Sequence, residues 1–229
     1  VRDGETVEEF NRVSYRNERI VELRPDIPSR VISGCQTGAD RGALIWAQRR
    51  GIVTGGYMPL HFRAEDGMRK DLAEEFGLEQ VNSSAYPPRT RMNVESSSVT
   101  MIFGNPRSRG CKLTIKYCIE LKVPYVHVYW SSTTGYGPSA HFAQAINNAR
   151  KDLRTARRQV NAFIPDFWIL NVAGNRESRQ PGIQREVQVF LDCVFFGYGD
   201  WNRLDAIRRA QEDDERRTGV VEKKVGLPL

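Results

Sequence analysis

The sequence predicts an α/β protein. The expected form is a single Rossmann-like, doubly wound domain whose mainly parallel sheet of five or more strands is flanked by helices. Three observations predict it. Five short apolar runs are each bounded by turn residues, as buried strands are. Helical spacing fills the stretches between them, and strand–helix–strand repetition implies parallel pairing through crossovers. The junctions where strands give way to helices are rich in glycine and hydrogen-bonding side chains, and in open parallel sheets ligands sit at those junctions.

In chain order, residues 1–29 read as a polar N-terminal extension, expected to be partly helical and packed on the outside. Its opening VRDGETVEEF is charged and lacks an apolar core, so no signal peptide is expected. The domain proper spans 30–196. Its expected strands are RVISG (30–34), GIVTGG (51–56), VTMIFG (99–104), VPYVHVYW (123–130) and DFWILNV (166–172). Between the first two, DRGALIWAQRR sets Ala43, Leu44, Ala47 and Gln48 at helical spacing behind Asp40 as N-cap. TRMNVESSS (90–98) reads as a short helix entering the third strand. GCKLTIKYCIELK spaces Leu113, Tyr117, Cys118 and Leu121 helically, and a last helix starts at Pro181-Gly182 and carries Ile183, Val187, Phe190 and Leu191. Two segments fall outside the scheme. One is an insertion at 131–164, a Gly/Ser/Thr-rich loop followed by a basic helix; the other is a charged C-terminal tail at 197–229, partly helical.

A chain of 229 residues, 40% hydrophobic and 27% charged, has the make-up of an ordinary globular protein. It has no apolar run of the ~18 residues a membrane span needs, so no membrane partner is expected. The four cysteines, Cys35, Cys111, Cys118 and Cys193, form no CxxC pair and read as reduced, buried thiols, which sets a cytoplasmic location as the expectation. The net charge of +6 favours anionic partners.

Three junctions carry the chemistry. In SGCQTGAD, Gly34 ends a strand, Gly38 permits close backbone approach and Asp40 opens a helix, while Ser33, Gln36 and Thr37 add neutral donors and acceptors. Free N–H groups at a helix N-terminus suit a phosphate or carboxylate. The spacing serves a capped turn equally well, and it is neither G-x-G-x-x-G nor a Walker loop. In FGNPRSRGCKLT, the loop residues Gly104, Asn105, Ser108 and Gly110 sit beside Arg107 and Arg109, and arginine grips phosphate in bidentate fashion. In LNVAGNRESRQPGIQ, Asn171 is placed at the strand end and Gly174 at a turn, ahead of Arg176, Glu177, Ser178 and Arg179. A fourth segment, YMPLHFRAEDG, offers His61, Arg63, Glu65 and Asp66 for acid–base work or ligand orientation, or as plain structure. Arg91 and Asn93 either face the crevice or brace the fold. No G-x-S-x-G elbow and no metal-ligand spacing is present, so no catalytic or metal-binding set is assigned.

Taken together and in order, ISGCQTGADRGALIWAQRRGI, GGYMP, RAEDG, TRMNVESSSVTMIFG and LNVAGNRESRQPGI resemble the molybdenum cofactor carrier proteins. That family lies in a wider group of Rossmann-like nucleotide-binding proteins that includes the lysine-decarboxylase-like and DNA-processing A families. The resemblance implies binding, without chemistry, of the molybdenum cofactor, a pterin with a terminal phosphate, by a homo-oligomer (dimer or tetramer). Carried across by position, it makes Gly34, Gln36, Thr37, Gly38, Asp40 and Arg41 the first loop of the site. Asn105, Ser108 and Gly110 then meet the phosphate, with Arg107 beside them, and Asn171, Gly174, Arg176, Glu177 and Gly182 form the third side. Cys35, also counted in the first loop of the site, stands where the family's SGGQTG has its second glycine.

The leading expectation is therefore binding of an anionic, phosphate-bearing small molecule, the molybdenum cofactor first and a nucleotide-like ligand otherwise. One alternative is a nucleotide-processing enzyme of hydrolase type, with Glu65, Asp66 or Glu177 as acid or base. A lesser one is nucleic-acid binding through ARKDLRTARR, where Arg150, Lys151, Arg154, Arg157 and Arg158 cluster, although charge runs are usually solvated helix faces.

Overall fold

A computed structural model describes residues 27–129, 140–160 and 167–197. The N-terminal extension to residue 26, the loop at 130–139 and the tail beyond 197 lie outside the described residues. In chain order the elements are β1 (Arg30–Ser33), α1 (Ala39–Arg49), β2 (Val53–Met58), a single 3₁₀ turn (Leu60–Phe62), β3 (Arg63–Ala64), β4 (Gly67–Met68), α2 (Lys70–Phe76) and β5 (Leu78–Gln80). There follow α3 (Tyr86–Glu95), β6 (Val99–Phe103), α4 (Arg109–Glu120), β7 (Tyr125–Val128), α5 (Ala140–Val160), β8 (Ile169–Gly174) and α6 (Ile183–Phe196).

Six strands form one parallel sheet in the order β5-β2-β1-β8-β6-β7, and β3 pairs with β4 as a separate antiparallel hairpin. The chain winds outward from β1 to β5, jumps to β6 and β7, then returns to lay β8 between β1 and β6. The central strands are buried on both faces, as parallel strands covered by helices must be. On β6, Val99, Met101 and Phe103 enter the main core under α1, α5 and α6, while the intervening Ile102 meets Val94, Cys111 and Cys118 of α3 and α4. A third apolar cluster, with Leu44, Met58, Phe76 and Leu78, closes the β5 edge. Among the described residues, no helix is long and apolar enough to cross a membrane.

The structure corrects several expectations. The basic helix of the 131–164 segment is not outside the scheme: α5 is the crossover from β7 to β8, and it buries Ile146, Ala149, Leu153 and Ala156 in the main core. Two of its cations serve the fold. Arg150 donates to the Cys193 and Val194 carbonyls near the end of α6, and the Arg157 guanidinium lies 5.2 Å from the Trp168 ring centre. Gln48 is exposed rather than core-facing. Sequence periodicity also passed over the β3–β4 hairpin, α2 and β5, which are too short to show a period.

Candidate functional site

Because β8 lies between β1 and β6, the three glycine-containing junctions meet at the carboxyl edge of the sheet, the third loop between the other two. Backbone contacts join them. Gly38, at φ +86°, turns so tightly that a Cβ there would sit 2.5 Å from the Asn175 carbonyl oxygen and 2.6 Å from the Glu177 nitrogen. Its lack of a side chain therefore admits the third loop. Asn175 also donates its N–H to the Phe103 carbonyl, and its side-chain amide lies over Gly104.

These contacts consume much of the donor capacity expected of the first loop. Gly38, not Asp40, is the N-cap of α1, and it makes no side-chain cap. The Ala39 N–H donates to Asn175 O and the Arg41 N–H to Gln36 O. Asp40 lies inside the helix and buried, 3.2 Å from Arg89 Nη1. The Arg89 guanidinium rests on bare Gly34, where a Cβ would be 1.6 Å from Nη1. Burial pushes the Asp40 carboxyl above its ordinary range, and the Arg89 charge works against that rise. Cys35 is fully buried at φ +53°, and burial raises its thiol to about 11 despite nearby Arg41.

The other predicted residues divide in role. In the second loop Asn105 accepts the Arg107 N–H, and Ser108 caps α4 by accepting the Cys111 N–H, while Gly110 sits in open space in the first turn. Arg107 and Arg109 are exposed. In the third, Asn171 is not at the strand end: β8 runs on to Gly174, and the Asn171 amide donates to Thr100 inside the sheet. Glu177 accepts the Gly182 and Gln184 N–H groups, supplying the anion that the N-terminus of α6 favours. Asn93 clamps both backbone groups of Tyr57, and Arg91 pairs with Glu120 on the surface, so both are braces.

The most concentrated chemistry surrounds Tyr86, at the start of α3. Three guanidinium groups, of Arg63, Arg89 and Arg176, lie 5.5, 5.7 and 4.7 Å from its ring centre. Asp40 and Glu65 are the carboxylates beside them, and among the described residues Arg63 has no carboxylate within ion-pair reach. The β3–β4 hairpin lays its acidic tip over the same edge. Glu65 accepts from the hydroxyls of Thr37 and Ser178, with Arg176 Nη1 at 3.7 Å. Burial pushes the Glu65 carboxyl up, but those donors and the Arg176 charge outweigh it and hold it below its usual range. Asp66 takes a two-pronged bond from Arg41 at 2.8 and 2.9 Å, which with Arg69 holds it far below the ordinary carboxylate range.

Arg89, Tyr86 and Asn175 were missed by sequence reasoning. The first two sit in YPPRTR, whose two prolines mark only a helix start. Asn175 lay within a quoted loop but had no distinguishing neighbour.

Residues 31–195 match the sequence profile described as the circularly permutated YpsA SLOG family. The chain belongs to that family. Among solved structures it is similar to that of the "Putative molybdenum carrier protein" of Syntrophus aciditrophicus SB, at 28% identity and a TM-score of 0.59, over 74% of this chain and 95% of that one. No curated protein matches the chain. The resemblance drawn from the motifs thus meets a solved protein named as a molybdenum carrier, and the matched span of the YpsA-type chain runs from β1 to α6, covering every loop described above.

Proposed function

We propose that this protein binds a phosphate-bearing small molecule at the carboxyl edge of its sheet, as a carrier or store, with the molybdenum cofactor as the first candidate. The observation that carries the reading is the set of three arginines around Tyr86. Three guanidinium groups beside two carboxylates leave a site that attracts an anion, and arginine matches phosphate geometry. The arrangement fits the cofactor's chemistry: arginines for its phosphate and an aromatic ring for its flat heterocycle. Among the described residues, buried Gln36 Oε1 and Arg89 Nε have no hydrogen-bond partner. Arg63, Arg89, Arg176 and Tyr86 would hold it, with Thr37 and Gln36 alongside. The name of the Syntrophus relative supports the same ligand. Assembly into a dimer or tetramer belongs to this reading, as does a cytoplasmic location.

The test is mass spectrometry of ligand copurifying with the protein, with molybdenum analysis, followed by thermal shift against the cofactor and a nucleotide panel. Ligand at a hundred times its Kd should stabilise the fold by about 2.7 kcal/mol. Arg176→Ala, a change at a half-exposed side chain, should abolish that shift and leave the unliganded Tm nearly unchanged. No saturable binding to any member of the panel would reject the reading.

A second reading, an enzyme acting on a nucleotide or nucleotide-derived molecule, is favoured by Asp40, a buried carboxylate beside the first loop that burial has pushed up. Glu177 and Asp66 are committed to the α6 cap and to Arg41. Turnover of any nucleotide, lost in Asp40→Asn with binding retained, would establish it.

A further inference from the structure

The acidic hairpin tip is unusual at an edge read as an anion site, because it places a carboxylate among the donors. The Thr37 hydroxyl follows β1, while the Ser178 hydroxyl and the Arg176 guanidinium follow β8. These three donors, from segments far apart in the chain, come together on the Glu65 carboxylate. Two hydroxyls and a guanidinium around an oxyanion are also what one face of a phosphate requires.

We propose that Thr37, Ser178 and Arg176 form a phosphate subsite which Glu65 fills as a built-in counter-anion, and that the phosphate of an arriving ligand takes the place of the Glu65 carboxylate. The inference rests on the phosphate-ligand reading above. A phosphate monoester carries more charge than a carboxylate and has three strong acceptor oxygens, so it gains more from the same donors. Arg63 and Arg89, whose guanidinium groups also lie against the Tyr86 ring, add attraction that Glu65 does not satisfy. Displacement needs only rotation of the Glu65 side chain. Asp66 can keep Arg41 and Arg69, and Ala64, buried in the small apolar cluster, can stay seated. The carboxylate then sets a threshold: weak anions are refused because the site already holds one.

Pyrophosphate binding by titration calorimetry tests this on the full chain, with Glu65→Gln as the variant. If Glu65 fills the subsite nine-tenths of the time, its neutralisation should tighten the apparent Kd about tenfold. In the Glu65→Gln background, Ser178→Ala or Thr37→Val should abolish the gain. An unchanged or weaker affinity in Glu65→Gln, with the original protein binding normally, would overturn the subsite and leave the ligand reading standing. A purely structural role for Glu65 would show as a lowered Tm with no change in Kd. Absence of pyrophosphate binding in both proteins would overturn the subsite, and the ligand reading would then stand or fall on the cofactor and nucleotide panel.

Discussion

At the scale of the residue, the decisive position is Arg89. Its guanidinium is seated where Gly34 leaves room, and it supplies the counter-charge for buried Asp40. Breaking a buried pair by removing one partner strands the other, so Arg89→Met should destabilise the protein by roughly 3–5 kcal/mol in urea unfolding. Gly34→Ala should mimic part of that loss, because its Cβ and the guanidinium cannot share the space. The cysteines illustrate the opposite case. All four are buried thiols, none in a disulfide among the described residues, and burial raises those of Cys35 and Cys118 to about 11. The native protein should therefore show no fast-reacting thiol toward a disulfide reagent at neutral pH, with four appearing in guanidinium. Cys35, which stands where the resemblance to the carrier proteins implies a glycine, is fully buried at a left-handed position.

At the scale of the element, the β3–β4 hairpin and α5 were the least legible pieces. The hairpin is held by Asp66 through Arg41 and Arg69. Arg41 keeps the Asp66 carboxyl ionised in the folded chain to well below the 3.8 at which the unfolded chain takes up a proton. Its contribution is therefore full above about pH 4 and fades as the pH falls further. Asp66→Asn should cost about 1 kcal/mol at pH 7, since the group is partly exposed, and the gap between variant and parent should close towards pH 2 in paired urea titrations. For α5 the sequence showed basic residues, and a charge run hides the apolar stripe it flanks. Ile146, Ala149, Leu153 and Ala156 recur at helical spacing and lie in the main core. Leu153→Ala should cost about 2–5 kcal/mol, as for any core leucine; a loss under 0.5 kcal/mol would return α5 to the status of an appendage.

At the scale of the whole molecule, the strand order makes the site. Laying β8 between β1 and β6 brings residues of the first and third loops into backbone contact and sets the hairpin over both. The same closure explains why several predicted ligand groups have protein partners instead: Ser108 caps α4, Glu177 caps α6, and the first N–H of α1 is taken by Asn175. An edge tied by so many local bonds is preorganised, and ligand binding should leave the backbone of the three loops nearly unmoved. Amide exchange at Ala39 and Asn175 should already be slow before ligand is added.

By itself the sequence determined the α/β class, the five longer strands, the helices between them, the family, and the convergence of three polar junctions on one edge. Class, strands, helices and junctions are written in local periodicity and in glycine placement, and the family in the resemblance of its ordered motifs, all of which survive without knowledge of any contact. Only the tertiary structure decided that β8 returns to the centre, that α5 is a crossover, and that Arg63, Arg89 and Arg176 meet at Tyr86. Each of these depends on residues far apart in the chain, and no local pattern distinguishes an arginine facing water from one seated on a distant glycine. Whether a polar group is available to a ligand is likewise a matter of which partner reaches it first, and that is settled by packing.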